Sequence, residues 1–211
     1  MAGVEIKICG LSTPETVDAA VSAGATHIGL NLYEPSPRYV PLDRAAALRG
    51  RVPQHVKVAL VMVGMDADAT MRAIETIRPD IVQFHGPEAP EWLATIRGKA
   101  PVELWKAIGV RNAQSLQQAA RFKGAADRVL YDAAGGSMPG GSGLAIDWPL
   151  LANFRHQLPW GLAGGLTPVN IADAIRITKA PLVDTSSGVE TSPGTKDVDL
   201  IRAFCKAARD A

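Results

Sequence analysis

The chain has 211 residues, 47% of them hydrophobic, and a formal net charge of +1 at pH 7. Its length suits one domain over residues 1–211, because single α/β barrels have about 200–250 residues. The balanced charge argues against a general surface for nucleic acid. The cysteines, Cys9 and Cys205, do not resemble a disulfide framework, and neither a basic-then-apolar leader nor an apolar run of about 18 residues is present. We expect a reduced, cytoplasmic protein without nucleic-acid or membrane partners, and a monomer rather than a homodimer.

A short apolar run, a turn and a helical stretch follow one another eight times along the chain. The predicted strands are Glu5–Cys9, His27–Asn31, Lys57–Val63, Asp80–His85, Glu103–Ile108, Arg128–Asp132, Trp160–Ala163 and Leu182–Thr185. The predicted helices are Pro14–Ala23, Leu42–Arg49, Ala67–Ile77, Glu88–Arg97, Ala113–Phe122, Trp148–Gln157, Asn170–Thr178 and Val198–Ala208. This alternation predicts a parallel sheet with right-handed crossovers. Eight such units favour a closed, parallel eight-stranded (β/α)8 barrel of the α/β class, the TIM barrel, over an open doubly wound sheet.

Cys9 is the last residue of the first predicted strand, and Gly10 ends that strand. In a closed parallel barrel the carboxyl ends of the strands form the face that carries the active site. A thiol at this position is small and ionisable and is placed to meet a ligand. The alternative is a buried cysteine that packs as a small hydrophobic side chain.

The turns after the last two predicted strands contain Gly164-Gly165 and Ser187-Gly188. Glycine has no Cβ, so an anion can approach the backbone N–H groups, and a helix that begins near Asn170 adds its dipole. Barrels of this kind often bind phosphate between these two loops. We therefore predict a phosphate-bearing ligand, with Gly141-Ser142-Gly143 as a candidate third wall. The alternative is that the glycines only form tight turns.

Several short motifs are spread over the whole chain. They are Lys7-Ile8-Cys9-Gly10, Ser36-Pro37-Arg38-Tyr39-Val40, Val82-Gln83-Phe84-His85-Gly86, Asp132-Ala133, Gly140-Gly141-Ser142-Gly143, Asp147-Trp148, Leu162-Ala163-Gly164-Gly165-Leu166, Ser186-Ser187-Gly188-Val189-Glu190 and Pro193-Gly194-Thr195-Lys196-Asp197. Each motif is weak alone, but their order, spacing and combination are highly specific. Through them the chain resembles the phosphoribosylanthranilate isomerase family.

The resemblance implies an enzyme of tryptophan biosynthesis that carries out an Amadori rearrangement. Its substrate would be N-(5-phosphoribosyl)anthranilate and its product 1-(2-carboxyphenylamino)-1-deoxyribulose 5-phosphate. The family's general base and general acid correspond to Cys9 and Asp132 in this sequence. The resemblance implies no metal, nicotinamide or other cofactor. The alternative for Asp132 is an N-cap or a turn-forming aspartate.

The resemblance also suggests binding residues beyond the glycine turns. Arg38 would grip the anthranilate carboxylate, since a planar guanidinium can donate two parallel hydrogen bonds; the alternative is a solvated loop arginine. Asp184, at the end of the eighth strand, would hold a sugar hydroxyl or the bridging amine. Its alternative role is to cap the turn that follows. Ser187 would add a hydroxyl contact to the phosphate.

The proposed chemistry requires shifted pKa values. Cys9 must be a thiolate to accept a proton, and we hypothesise that Lys7, on the same side of the strand, lowers the pKa of its thiol. Asp132 must be protonated to act as an acid, which calls for burial or a nearby anion. Gln83 and His85 have period-two spacing and should face one side of the fourth strand; for His85 a structural role is favoured over a catalytic one.

Two other functions compete with this interpretation. One is an isomerase of the same barrel type that acts on the histidine-pathway aminoaldose; that family typically has an aspartate where Cys9 stands, binds two phosphates and shows a half-barrel repeat. The other is a phosphosugar-binding module without activity, which the presence of both Cys9 and Asp132 disfavours. No Cys, His, Asp and Glu residues have the spacing of metal ligands.

Overall fold

Eight parallel strands close into a barrel with helices outside it. The computed structural model describes residues 3–134 and 146–211. The strands are β1 (Glu5–Cys9), β2 (His27–Asn31), β3 (Lys57–Met62), β4 (Ile81–Phe84), β5 (Glu103–Val110), β6 (Arg128–Ala133), β7 (Trp160–Leu162) and β8 (Leu182–Thr185). The helices are α1 (Pro14–Ser22), α2 (Leu42–Arg49), α3 (Ala67–Ile77), α4 (Pro90–Arg97), α5 (Ala113–Gln117), α6 (Trp148–Ala152), α7 (Ile171–Thr178) and α8 (Val198–Arg209). The predicted (β/α)8 barrel is therefore confirmed.

The barrel closes because the first strand pairs with the last. Strand β1 is hydrogen-bonded to β2 on one side and to β8 on the other, both in parallel. In this register Lys7 lies opposite Asp184 on β8. Residues from the two ends of the chain thus become neighbours on the barrel wall.

Side chains alternate across the barrel wall as the strand period of two requires. Ile6 and Ile8 on β1 are fully buried in the main core between the strands and the helices. Inside the barrel, a separate apolar cluster contains Ala59, Ile81, Trp105, Leu130 and Leu182. These residues lie at or near the beginnings of their strands, so they fill the bottom of the barrel. The polar pocket is consequently confined to the opposite end.

Helix starts follow the capping rules. Thr13 precedes Pro14 at the start of α1, and its side chain accepts a hydrogen bond from the backbone N–H of Thr16. Asp197 is the N-cap of the last helix, since its carboxylate accepts from the N–H groups of Asp199 and Leu200. These caps fix where α1 and α8 leave the loops above the barrel.

Two predicted helices were wrong in extent. The helix predicted over Trp148–Gln157 ends at Ala152. Beyond it the chain is irregular, and the imidazole of His156 stacks on Trp160 with ring centroids 4.0 Å apart. The helix predicted over Ala113–Phe122 is α-helical only to Gln117 and continues as a 3-10 helix. Other ends differ from prediction by one or two residues. No helix in the described part of the chain is long and apolar enough to span a membrane.

A short antiparallel ribbon after β8 was not predicted. Strand β9 (Glu190–Ser192) pairs with β10 (Thr195–Lys196), and Asp197 follows directly as the cap of α8. A 3-10 turn over Ser187–Val189 links β8 to this ribbon. The predicted third wall of the pocket, Gly141-Ser142-Gly143, lies outside the described residues.

Candidate active site

A pocket opens at the carboxyl ends of the strands. Its lining includes all the residues predicted for catalysis and binding: Cys9, Arg38, Asp132, Gly164, Gly165, Asp184, Ser187 and Gly188. The structure therefore brings these residues together in one pocket, and their individual roles stay predictions. Asn31, Gln83 and His85 also line the pocket, as expected from their positions on β2 and at the end of β4.

Lys7 and Asp184 form a buried ion pair at the floor of the pocket. The Lys7 ammonium donates to both carboxylate oxygens of Asp184, each at 3.0 Å, and the Lys7 side chain is wholly inaccessible. Burial alone would lower the pKa of Lys7, but the charges of Asp184 and Cys9 outweigh it and raise that pKa. The charge of Lys7 is thus largely neutralised by its partner on β8.

The Cys9 thiol lies beside this pair. Burial raises the pKa of Cys9, Lys7 and Lys196 oppose that change, and Asp184 reinforces it; the net direction is upward. Lys7 does favour the thiolate, as hypothesised from the sequence. The expected net lowering is nevertheless wrong, because burial of the thiol outweighs the effect of Lys7 and Asp184 adds to it; sequence alone showed neither the burial nor the partner of Lys7 across the barrel seam.

Asp132 faces Cys9's pocket from β6. One carboxylate oxygen, Oδ1, accepts from the backbone N–H of Ala133 at 2.8 Å. The other, Oδ2, is 3.2 Å from Nε2 of His85. Nδ1 of His85 is in turn 3.3 Å from Nε2 of Gln83. A donating Gln83 amide leaves the imidazole hydrogen on Nε2, so His85 can donate to Asp132.

Arg38 is held by a carboxylate that sequence reasoning did not single out. Its Nε and one terminal nitrogen donate to the two oxygens of Glu190, each at 2.7 Å. Lys196 donates to Glu190 Oε1 at 2.6 Å. All three side chains are nearly buried. Burial would raise the pKa of Glu190, but its two cationic partners lower it below the usual value. Sequence analysis missed Glu190 and Lys196 as site residues. Both lie in motifs that carry the family resemblance, Ser186–Glu190 and Pro193–Asp197, and this was the signal that could have identified them.

The turn after β7 contains two consecutive glycines in the left-handed region. Gly164 has φ of 83° and Gly165 has φ of 65°, a conformation that other residues adopt at a cost. Asn170 fixes the turn, since its Oδ1 accepts from Thr167 N at 2.8 Å and its Nδ2 donates to Gly165 O at 2.9 Å. Within the described residues, the N–H groups of Gly164 and Gly165 donate to no protein acceptor. They are available to an anion.

The neighbouring turn after β8 packs against the first. Thr185 Oγ1 donates to the carbonyl oxygen of Leu166 at 2.7 Å, and a Cβ on Gly188 would collide with that same carbonyl group. The two predicted phosphate loops are therefore in direct contact. Among residues 3–134 and 146–211, no three His, Cys, Asp or Glu side chains are grouped in a way that could hold a metal ion.

A parallel barrel whose mouth combines a thiol, a carboxyl group and an open glycine cradle defines a (β/α)8-barrel enzyme. The family model described as N-(5'phosphoribosyl)anthranilate (PRA) isomerase matches residues 6–207. The N-(5'-phosphoribosyl)anthranilate isomerase of Erythrobacter litoralis is 54% identical over 206 residues, which cover 98% of this chain and 99% of the relative. That of Zymomonas mobilis subsp. mobilis is 49% identical, with 98% of both chains covered. The chain therefore belongs to the phosphoribosylanthranilate isomerase family, and the resemblance is confirmed.

Solved structures agree with this assignment. The phosphoribosyl anthranilate isomerase of Thermotoga maritima superposes with a TM-score of 0.90 at 30% identity, covering 99% of this chain and 100% of that one. A phosphoribosyl anthranilate isomerase in complex with reduced 1-(o-carboxyphenylamino)-1-deoxyribulose 5-phosphate has a TM-score of 0.86, also at 30% identity with 99% and 100% covered. The family relationship thus extends over the whole barrel.

Proposed function

We propose that this chain converts N-(5-phosphoribosyl)anthranilate into 1-(2-carboxyphenylamino)-1-deoxyribulose 5-phosphate, with Asp132 as general acid and Cys9 as general base. The observation that carries the proposal is that a thiol, a carboxyl group and an unoccupied pair of glycine N–H groups line one pocket. The relative solved with the reduced product supports the same ligand class. The family's reaction belongs to tryptophan biosynthesis.

Asp132 begins the reaction by giving its proton to the ring oxygen of the sugar. The bond from that oxygen to C1′ breaks, and the nitrogen lone pair forms a protonated Schiff base. The backbone N–H of Ala133 occupies Asp132 Oδ1, so Oδ2 is the oxygen that carries the transferred proton. His85 lies within hydrogen-bond reach of Oδ2 and stabilises the carboxylate that remains after the transfer.

Cys9 then removes the proton from C2′. The electrons of the C2′–H bond form the C1′–C2′ double bond and neutralise the iminium nitrogen, giving an enolamine that tautomerises to the ketone. Burial raises the pKa of the Cys9 thiol, so a cationic group must favour the thiolate. The protonated Schiff base supplies one positive charge, and Lys196 supplies another at a fixed position.

The remaining predicted residues bind the ends of the substrate. The N–H groups of Gly164 and Gly165 receive the phosphate, with Ser187 and Gly188 completing the cradle. Arg38 binds the anthranilate carboxylate through its remaining N–H donors, since Glu190 occupies only one edge of its guanidinium. Asp184 contacts the sugar or the bridging amine.

The proposal also keeps residues 1–211 as one domain and the protein as a cytoplasmic monomer. Cys9 and Cys205 are both free thiols, in keeping with a reducing compartment. Light scattering after size-exclusion chromatography measures the mass of the particle, and we expect the mass of one chain. A mass of two chains would show that the protein is a dimer. The histidine-pathway isomerase is disfavoured because Cys9 stands where that family typically has an aspartate.

The decisive measurement is turnover of N-(5-phosphoribosyl)anthranilate, followed by the loss of its fluorescence. We expect Cys9→Ala to lower kcat by about 10²- to 10⁴-fold with little change in KM, because a general base acts only in the transition state. The matched control is Cys205→Ala, which likewise removes a sulfur atom, here from the buried face of α8. This variant should retain the kcat of the parent. Full kcat in Cys9→Ala would show that Cys9 is not the general base. Absence of turnover by the unaltered protein would reject the proposed function.

A further inference from the structure

The ribbon formed by β9 and β10 is fastened to the strand end that carries Cys9. The Lys196 ammonium has three acceptors: Glu190 Oε1 at 2.6 Å, Ser186 O at 2.9 Å and Ser186 Oγ at 3.1 Å. The Ser186 hydroxyl donates onward to the backbone carbonyl of Cys9 at 3.1 Å. Lys196 is thus one hydroxyl group away from the main chain of the proposed base.

The same ribbon supports the loop that carries Arg38. Glu190 holds the guanidinium along one edge. At the ribbon tip, a Cβ on Gly194 would collide with the carbonyl of Pro37, so only glycine allows this approach. The Arg38 side chain then lies across Gly10, where an added Cβ would be 2.7 Å from Arg38 Cδ. The ribbon is therefore linked both to the strand end that carries Cys9 and to the loop that carries Arg38.

The charges around Cys9 do not balance. In the barrel, Lys7 and Asp184 form a one-to-one pair. On the ribbon side, Glu190 is a single carboxylate shared by Arg38 and Lys196, which leaves one positive charge in excess. In the proposed mechanism Asp132, across the pocket, is protonated, and His85, which accepts from Gln83, is neutral, so this pair adds no net charge. Lys7 also favours the thiolate, but Asp184 offsets it. Apart from the substrate, the excess positive charge near Cys9 therefore lies on the ribbon side.

Burial lowers the pKa of Lys196, and Glu190 opposes that change; the geometry of the site favours the charged form. An ammonium has three N–H donors, and this one has three oxygen acceptors within 3.1 Å. A neutral amine would direct its lone pair at one of these oxygens and leave it unpaired in a buried site. Its side chain is 1% exposed, so solvent screens this charge little.

We propose that Lys196 and Glu190 are positioning residues that control the ionisation of Cys9, with the net charge of the Arg38–Glu190–Lys196 cluster setting how much thiolate forms. The inference deepens the proposed function, because it names the source of the charge that the general base requires. It also predicts a charge rule: removing Lys196 suppresses the thiolate, and removing the Glu190 charge as well restores it.

The test is a titration of the Cys9 thiol by its rate of alkylation with iodoacetamide across pH, in a Cys205→Ala background where Cys9 is the single thiol. We expect Lys196→Met to raise the pKa of Cys9 by about one unit, the usual effect of losing a close opposite charge. The double variant Lys196→Met with Glu190→Gln leaves Arg38 unpaired and returns the cluster to one excess positive charge, so most of the shift should be reversed.

A matched control removes a lysine elsewhere. Lys206→Met deletes an exposed ammonium on α8 that pairs with Asp210, and it should leave the Cys9 titration unchanged. A purely structural role for Lys196 predicts further damage, not recovery, in the double variant. Identical Cys9 titration in Lys196→Met and the parent, or no recovery in the double variant, would overturn the inference. Lys196→Gln, which keeps a donor for Ser186, replaces Lys196→Met if that variant does not fold.

This titration needs no substrate, so its outcome is separate from that of the turnover assay. Normal turnover with an unmoved Cys9 pKa would reject the charge rule alone. A shifted Cys9 pKa in a protein without turnover would reject the isomerase and keep the ribbon's electrostatic effect. In an active protein, the raised Cys9 pKa should also appear as a shift in the pH profile of kcat/KM for Lys196→Met.

Discussion

The two carboxylate oxygens of Asp132 have different surroundings. One accepts from a backbone N–H and the other faces an imidazole. The sequence predicted that Asp132 lies at the pocket because it follows a β-branched and apolar run; its role as an acid stays a prediction. It did not predict the alignment with His85, because that contact joins two strands and depends on barrel register. For single residues, the sequence therefore predicted the residue type and its position on a strand, but not the side chains that it contacts.

Asp132→Asn tests the acid. We expect kcat to fall by about 10²- to 10⁴-fold, since the amide cannot protonate the ring oxygen, while KM changes only a few-fold because the amide oxygen can still accept from the backbone N–H of Ala133. Steady-state kinetics measures both constants. The control is Asp173→Asn on the exposed face of α7, where the lost partner is Arg176. An undiminished kcat in Asp132→Asn would assign the acid to another group.

Some secondary-structure elements could be predicted from the sequence and others could not. The eight strands were found because apolar runs ending in glycine or polar residues recur at even spacing. The ribbon of β9 and β10 was missed because its strands have three and two residues, too short to show a period of two. Pro193-Gly194 marked a turn, but only the contact with Pro37 gives that turn a place to pack.

The turn after β7 gives a prediction for Asn170. Its amide makes both hydrogen bonds that hold Thr167 and Gly165, and each is worth about 0.5–1.5 kcal/mol. We expect Asn170→Ala to weaken inhibition by inorganic phosphate about tenfold, because the glycine N–H groups are no longer held in place. Competition assays against the phosphorylated substrate measure this. Asn153→Ala, which removes an exposed bond to Pro149, should have no effect; equal phosphate affinity in both variants would show that the turn is rigid without Asn170.

On the scale of the whole molecule, the two ends of the barrel have opposite characters. The pocket end is charged and open, whereas the bottom is apolar and contains the buried His27, whose ring centroid lies 5.3 Å from that of Trp105. Burial and the nearby Arg128 lower the pKa of His27 to about 3. Sequence analysis did not single out this histidine, because its surroundings come from four different strands.

His27 makes stability depend on pH. In the folded protein it stays neutral down to about pH 3, whereas in the unfolded chain it takes up a proton near its ordinary pKa of about 6.5. The unfolded state therefore binds more protons between these values, and stability is full above that window and falls as the pH drops through it. We expect a loss of about 2 kcal/mol from this residue between pH 8 and pH 5.

Urea unfolding at pH 8 and pH 5 checks this contribution. The variant His27→Asn keeps a polar atom for the bond to Thr26 but does not titrate, so its stability should decline less on acidification by about 2 kcal/mol. His55→Asn is the control, since His55 is exposed. The same acid sensitivity in His27→Asn and the parent would mean that other groups dominate.

The Lys7–Asp184 pair has a consequence for how the protein is made. Its partners are separated by 177 positions in the chain, and contacts of such high sequence separation form late in folding. While a ribosome is still synthesising the chain, β1 has no β8 to pair with, and its lysine has no counter-ion. The nascent polypeptide therefore cannot complete this pocket until β8 has left the ribosome, and ligand binding should begin only then.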